Sequence, residues 1–381
     1  MNDVAVRGVT IVTPGFRPLI GGVEAHTSAL ASQLIRRGIP VRVLTSRRDV
    51  DRTTVVDEDG CQVVTYPAWR VSSMSISPRL LLGAIRRRSA GGVMHVHSYH
   101  ATTAISMLGR RTPTVFTPHY HGRHGHSPVA NLLHGAYYQL AKILLRRCDA
   151  IICVSEAESE QLREDFPFIA GRVSVIPNGV ATEGIRNAEP FVGQPPTVIT
   201  VGRLEPYKRF DVVIAAFAAV SAPAQLVVIG AGSQREKLES LVAQLGIGDR
   251  VRFEGAVSDD IMHRWLRTAA VSVSVSEREA FGMAPLEAAT AGARVVLSDI
   301  PAHQEIVNRY LGAVAVLLPD VSPDALAAEI TRQLATTTTT QPYIPDWTGV
   351  AGVTAELYAT ITGHKGTWTA FENRSAQRLC K

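Results

Sequence analysis

Short β-branched runs alternate with helix-period segments along nearly the whole chain, and that alternation restricts the fold more than any other feature. In the first half the runs are Val9–Val12, Val41–Leu44, Val93–Val96, Thr114–Phe116, Ile151–Val154 and Val173–Ile176. In the second half they are Val198–Val201, Leu226–Ile229, Val251–Phe253, Val271–Val275, Val295–Leu297 and Val314–Leu317. Continuous apolar strands separated by helices indicate parallel sheets covered on both faces. The pattern lapses near Val180 and resumes near Thr197, and the stretch between carries Pro190, Pro195 and Pro196, which suits a linker. Two doubly wound α/β domains facing across a cleft are therefore expected, over residues 1–187 and 188–345. Trp347, Val350, Val353, Leu357 and Tyr358 recur at helical spacing and predict a terminal helix over 346–362 that packs across a domain. Thr336–Thr340 reads as a low-complexity loop. The tail 363–381 is polar and expected to be poorly ordered, with Trp368 and Phe371 as anchors.

At 381 residues each domain can bury its own core. Hydrophobic residues make up 46% and charged residues 19%, as in an ordinary soluble protein. No apolar run long enough for a membrane span is present, and the N-terminus does not read as a secretory signal. Cys61, Cys148, Cys153 and Cys380 form no CxxC pair, so reduced thiols in a cytoplasmic protein are expected. Charge is uneven. Residues 1–187 hold 22 Lys+Arg against 14 Asp+Glu, whereas 188–381 hold 17 against 20. Arg36-Arg37, Arg47-Arg48, Arg86-Arg87-Arg88, Arg110-Arg111 and Arg146-Arg147 concentrate that excess. An anionic membrane surface, a lipid phosphate or a simple solvated face would each account for it. Arg79–Arg88, apolar with basic ends, could lie on such a membrane or bury its leucines in the core. Nucleic acid is not expected, because no basic stripe interleaved with aromatics occurs.

In doubly wound sheets ligands bind beyond the carboxyl ends of the strands, so strand–helix junctions carry the functional signals. Glu279 and Glu287 bracket a Gly282-containing loop and a helix start. Pro285 suits the first helical position, Glu287 the first turn, and Gly292 the stop. Free N–H groups there attract a phosphate, and the carboxylates can accept from sugar hydroxyls, which together describe a nucleotide sugar. Gly202 to Arg209 follows another strand; Arg203 as a fork and Lys208 as a point charge can reach one diphosphate, or be solvated charges at a helix start. Gly21-Gly22-Val23-Glu24 lets backbone approach an anion, with Leu30 and Leu34 on the buried helix face. Gly230-Ala231-Gly232-Ser233 lacks the third glycine of a dinucleotide fingerprint and reads as a tight turn. His119 ends another strand and is favoured as the functional histidine. Eight of the twelve histidines lie between His95 and His134, including the pairs His95/His97, His119/His121 and His124/His126. No carboxylate lies from residue 60 to 147, so a mixed-ligand metal would need distant help and no metal is assigned.

Taken in order, Gly-Gly-x-Glu, the His after Thr117-Pro118, Pro177-Asn178-Gly179-Val180, Gly202-Arg203-Leu204-x(3)-Lys208 and Glu279-x(7)-Glu287 resemble the retaining glycosyltransferases of family 4, over about residues 8 to 360. The last two motifs are the specific ones. The resemblance implies a GT-B fold and transfer of a hexose from a UDP- or GDP-linked sugar to a hydroxyl acceptor, a lipid, glycan or small molecule, with no other cofactor. It implies that Arg203 and Lys208 hold the diphosphate and that Glu279 binds donor-sugar hydroxyls beside the N–H groups of Phe281, Gly282 and Met283. Glu287 would bind the ribose, and Phe253, Glu254 and Val257 would line the base pocket. Gly22 would approach the phosphate and His119 the sugar and reaction centre, with Glu24, Asn178 and Ser155 as wall residues. Ala280 stands where many members carry Gly. The implied route is front-face attack in which the leaving phosphate takes the acceptor proton, with domain closure excluding water. Localisation is expected at the cytoplasm or the inner membrane face. A GT-B nucleotide-sugar epimerase and a non-catalytic nucleotide-sugar-binding protein are the competing readings.

Overall fold

The computed structural model describes residues 8–363 apart from 20, 72–73, 87–91, 100, 110–111, 121–127, 222 and 337–341. The chain divides into two compact units. One runs to Gly179 and takes in the helix Trp347–Ile361; the other spans Val180–Asp346. The division thus precedes the proline-rich stretch, because helix Thr182–Asn187 packs on helices Asp259–Thr268 and Met283–Ala291 of the second unit.

Among the described residues the first unit holds ten strands: β1 Val9–Val12, β2 Val41–Arg47, β3 Thr54–Glu58, β4 Cys61–Pro67, β5 Trp69–Val71, β6 Met74–Ile76, β7 Val93–His97, β8 Thr114–Thr117, β9 Ala150–Cys153 and β10 Val173–Val175. Its main sheet has the order β10-β9-β8-β7-β1-β2-β4-β3, parallel except for β3 against β4. Every residue of β7, β8 and β9 is buried, as expected of strands covered on both faces. Val12, Leu44, Val96, Phe116 and Ile151 belong to one core. Strands β3 and β4 escape the helix-alternation argument. Their hairpin turns at Asp59-Gly60, where both residues have positive φ (50° and 77°), the signature of a two-residue turn. Strand order reverses between β1 and β7, so residues after β1, β7 and β8 gather at one switch point.

The second unit is a parallel sheet, β13-β12-β11-β14-β15-β16, of β11 Thr197–Val201, β12 Gln225–Ile229, β13 Val251–Gly255, β14 Ala269–Ser274, β15 Arg294–Ser298 and β16 Ala315–Leu318. Val198, Leu226, Val228, Val271 and Phe217 pack in its core. Here the order reverses between β11 and β14. The expected runs all become strands, and both sheets are doubly wound.

The terminal helix Trp347–Ile361 packs on helix Gly22–Arg36. Arg37 Nη2 donates to the Thr348 carbonyl at 2.6 Å. In helix Pro78–Arg86, Leu80 and Ala84 are buried and Leu82 is exposed, so that segment's apolar face is mainly spent on the core. Several arginines of the basic half serve structure. Arg147 donates to the Leu108 carbonyl, Arg146 lies over the Phe168 ring, and Arg17 pairs with Glu58 and Asp59. Arg87, Arg88, Arg110, Arg111, most of Thr336–Thr340 and the tail from His364 lie outside the described residues. No described helix is long and apolar enough to cross a membrane.

Candidate functional site

The switch point of the second sheet collects the strongest sequence signals. After β11 the chain turns through Gly202-Arg203-Leu204, and the turn after β12 lies directly on it. Leu204 N donates to the Ala231 carbonyl at 3.0 Å, and Gln234 N to the Leu204 carbonyl at 2.9 Å. A Cβ on Gly230 would stand 1.8 Å from the Gly202 carbonyl oxygen, and one on Gly232 would stand 2.4 Å from that of Leu204. The Gly-Ala-Gly turn is therefore a backbone-on-backbone brace that fixes the loop carrying Arg203. Arg203 is exposed, and its guanidinium donates to the Tyr207 hydroxyl at 2.9 Å.

A short turn, Pro206–Lys208, aims Lys208 back at the sheet. Its ammonium pairs with Glu279 Oε1, which also accepts from Ser276 Oγ at 2.9 Å. Glu277 N donates to the Tyr207 carbonyl at 2.8 Å, tying the loops after β11 and β14 together. Arg278 lies over the Tyr207 ring, 5.0 Å from its centroid, and Lys208 lies 5.6 Å from it. Three cations thus surround one phenol. Tyr207 and Arg278 were not singled out from sequence; an aromatic between Arg203 and Lys208 was the available signal.

Burial alone would raise the Glu279 carboxyl, but the Lys208 ammonium, its hydrogen bond, His303 and Ser276 together hold it below the ordinary carboxylate range. His303 also lies outside the sequence reading. Its Nδ1 donates to the Ser298 carbonyl at 2.9 Å, which leaves Nε2 as the lone-pair nitrogen. Burial lowers its pKa against the pull of Glu279.

Helix Met283–Ala291 begins two residues before Pro285, and Gly282 caps it at φ 96° without a side-chain hydrogen bond. Pro285 is accommodated because the first-turn N–H groups have no helical acceptor in any case. Glu287 consequently sits in the second turn rather than the first. Gly292 ends the helix at φ 100°, as expected. The N–H groups at the start of this helix lie next to Gly282 and a few residues from Glu279, a disposition suited to an anion. Phe281 is buried and edge-on to Tyr310. Glu279 and Glu287 occupy separate environments. Burial, with the neighbouring Asp259 charge, pushes Glu287 up to about 7. Phe253, under the Arg235 guanidinium at 4.9 Å, and Val257 are half-buried at the end of β13, and Glu254 pairs with Arg252.

In the first unit Gly22 opens helix Gly22–Arg36, and a Cβ there would meet nothing within 4 Å. The neighbouring glycines have a different role. Cβ atoms on Gly15 and Gly21 would each come within 2.3 Å of a Glu24 carboxylate oxygen. They make room for the protein's own acid. Ser155 serves as the N-cap of helix Glu156–Asp165, accepting from Glu158 N at 3.0 Å. Asn178 Oδ1 accepts from His26 Nδ1 at 2.6 Å. His119 is 8% exposed with φ 49°, and its ring stacks on His97 and meets His26 edge-on. His121, Gly122, His124 and His126 lie outside the described residues.

Residues 20–183 match the family described as Glycosyltransferase Family 4, and residues 181–341 match Glycosyl transferases group 1. The chain is 27% identical over 384 residues to a D-inositol 3-phosphate glycosyltransferase of Nocardiopsis dassonvillei, covering 91% of this chain and 87% of that protein. It is 28% identical over 365 residues to a phosphatidyl-myo-inositol mannosyltransferase of Mycobacterium leprae, covering 90% and 93%. Among solved structures, sucrose-phosphate synthase from Thermosynechococcus elongatus shares the fold with a TM-score of 0.74 at 20% identity, over 94% of this chain and 100% of that one.

Proposed function

Because the chain belongs to the glycosyltransferases of family 4, with two doubly wound domains of the GT-B type, we propose that it is a retaining enzyme using a UDP- or GDP-linked hexose. The acceptor we assign is the hydroxyl of an inositol phosphate or phosphatidylinositol, the chemistry named in two of its relatives. The observation that carries the reading is the Lys208–Glu279 pair beside the start of helix Met283–Ala291, whose Gly282 cap offers its N–H groups no side-chain acceptor.

Charge builds on a departing diphosphate as the sugar–phosphate bond breaks. Cations fixed beforehand stabilise that charge most when it is fully developed, so they lower the barrier instead of merely tightening binding. Arg203 and Lys208 are the proposed cations, and the helix start supplies further N–H donors. Glu279, held ionised by Lys208, accepts from donor-sugar hydroxyls and is itself anchored by Ser276. Glu287 receives the ribose hydroxyls. For Gly22 and His119 the proposed roles, approach to the phosphate and contact with the sugar, rest on the family resemblance. No covalent nucleophile is assigned; the leaving phosphate takes the acceptor proton. The basic excess of the first half supports an anionic acceptor or membrane surface.

The test supplies purified protein with UDP- and GDP-hexoses, with and without inositol phosphate or phosphatidylinositol vesicles, and follows products and their anomeric configuration by NMR. Acceptor-dependent donor consumption with retained configuration is expected. Epimerised donor, or inverted product, would overturn the reading. Retained transfer to another acceptor only would remove the inositol assignment.

A further inference from the structure

At the switch point of the first sheet, four histidines converge inside the fold. His26 comes from helix Gly22–Arg36, His95 and His97 from β7, and His119 from the segment after β8. The terminal helix closes over them. Tyr358 OH lies 2.6 Å from His95 Nδ1, and the Trp347 ring meets His26 edge-on at 5.2 Å. His95 is fully used, with Thr117 Oγ1 2.7 Å from its Nε2. His97 Nδ1 lies 3.4 Å from His119 Nε2, and one nitrogen each of His26 and His97 is left over.

His26 Nδ1 is the donor toward Asn178 Oδ1, so Nε2 carries the lone pair; that atom is buried and has no hydrogen-bond partner among the described residues. His97 Nε2 is likewise buried and without a partner among the described residues. One nitrogen from each of His26, His97 and His119 lies within 4.8 Å of the other two. Buried unpaired polar atoms are rare enough in a folded protein to need a cause, and an ion is one of the few. The imidazole–carboxamide contact of His26 is the arrangement that fixes the tautomer of a metal-ligating histidine. Burial keeps His26 neutral, lowering it to about 4, and holds His97 well below its ordinary value. Neutral rings are the ligand form.

We propose that His26, His97 and His119 form a binding site for a borderline divalent cation, Zn²⁺. A donor set of three imidazoles selects zinc, cobalt, nickel or copper and discriminates against magnesium and calcium. Zinc–nitrogen bonds of about 2.0–2.1 Å place tetrahedral ligands roughly 3.4 Å apart, so small ring rotations close the site. His119 offers the access route, being 8% exposed against 3% for His26 and 0% for His97. The set needs no carboxylate; His26 adds a third imidazole from outside the 60–147 segment.

The test uses the full chain, stripped with chelator and dialysed. Added Co²⁺ should give the intense visible bands of a four-coordinate ion at one equivalent, and Zn²⁺ should bleach them and raise the melting temperature. His26→Asn should abolish the bands. Asn178→Ala should weaken zinc binding by roughly 10–100-fold. A His121→Asn/His124→Asn/His126→Asn variant should behave as the parent. Absence of cobalt bands in the parent, or bands that survive in His26→Asn but vanish in the triple variant, overturns the site. If His26→Asn does not fold, the Asn178→Ala shift and the parent spectrum decide. Because these readouts need no turnover, they stand or fall separately from the proposed transferase reaction. Zinc that binds without slowing transfer keeps the site and removes His119 from that reaction.

Discussion

Lys208 Nζ and Glu279 Oε1 pair across the second sheet's switch point, joining the turn after β11 to the loop after β14. Their side chains are 17% and 14% exposed, so neither charge is well hydrated once the other is removed. Lys208→Met or Glu279→Gln alone should each cost about 2–3 kcal/mol of stability, below the roughly 3–5 kcal/mol of a fully buried pair because some solvent reaches it. The double variant should recover part of the loss, with a coupling of about 0.5–3 kcal/mol in chemical denaturation. Transfer should not recover. Each single variant should lower turnover about a hundredfold or more if the pair faces the departing diphosphate. Additive stability losses would mean that the pair contributes nothing as a pair.

Two glycines separate structural from functional need. Gly230 has φ 137° and touches the Gly202 carbonyl, so Gly230→Ala should displace the Arg203 loop and destabilise the second unit by more than about 3 kcal/mol, beyond a typical substitution. Gly22 has open space around its missing Cβ. Gly22→Ala should leave the melting temperature within a degree or two while weakening nucleotide-sugar binding measurably. Unchanged donor affinity in Gly22→Ala would remove this residue from the proposed phosphate contact.

If Glu287 receives the ribose as proposed, donor binding should depend on pH. Burial first, then Asp259, raises its carboxyl to about 7. A protonated carboxyl accepts more weakly from ribose hydroxyls than the carboxylate does. Nucleotide affinity should therefore rise with pH through about 7 and level off above it, by at most roughly tenfold per pH unit. Glu287→Gln should flatten that profile between pH 6 and 8. A calorimetric titration of nucleoside diphosphate across this range tests it, and a profile that is flat in the parent chain would exclude Glu287 from the site.

The sheets were legible because parallel strands covered on both faces leave unbroken Val, Ile and Leu runs. The β3–β4 hairpin was not, since Thr54–Glu58 is a mostly exposed edge strand with only two valines and two acids. Its Asp59-Gly60 turn was the missed cue. Proline marked a linker at Pro190–Pro196, yet the units part at Gly179, because composition does not report that helix Thr182–Asn187 packs inside the second unit. In the candidate site, spacing after each strand singled out Arg203, Lys208 and Glu279, and Lys208 and Glu279 do meet in the fold. Tyr207, Arg278 and His303 depend on loops meeting across the switch point, which one-dimensional spacing does not encode. The same holds for His26, about seventy residues before the histidine-rich segment whose cluster it completes.

That cluster also sets the acid response of the first unit. Burial lowers His26 to about 4, despite the Asn178 hydrogen bond that favours its charged form, and it lowers His95 and His97 well below their usual value. In the unfolded chain these rings titrate near 6.5. Folded pKa values below unfolded ones mean that the unfolded state binds more protons at mildly acid pH. The stability is fully present above about 6.5 and falls as pH drops toward the folded values. The melting transition of the first unit should therefore move down steeply between pH 6.5 and 4.5, where the unfolded chain takes up protons that the buried rings refuse. His95→Gln keeps a side chain that can hydrogen-bond Tyr358 and Thr117 but does not titrate, so it should lower stability at neutral pH and make its pH dependence shallower. Calorimetry of parent and variant across that window decides the point: parallel curves would mean that the buried histidines are not what acid destabilises.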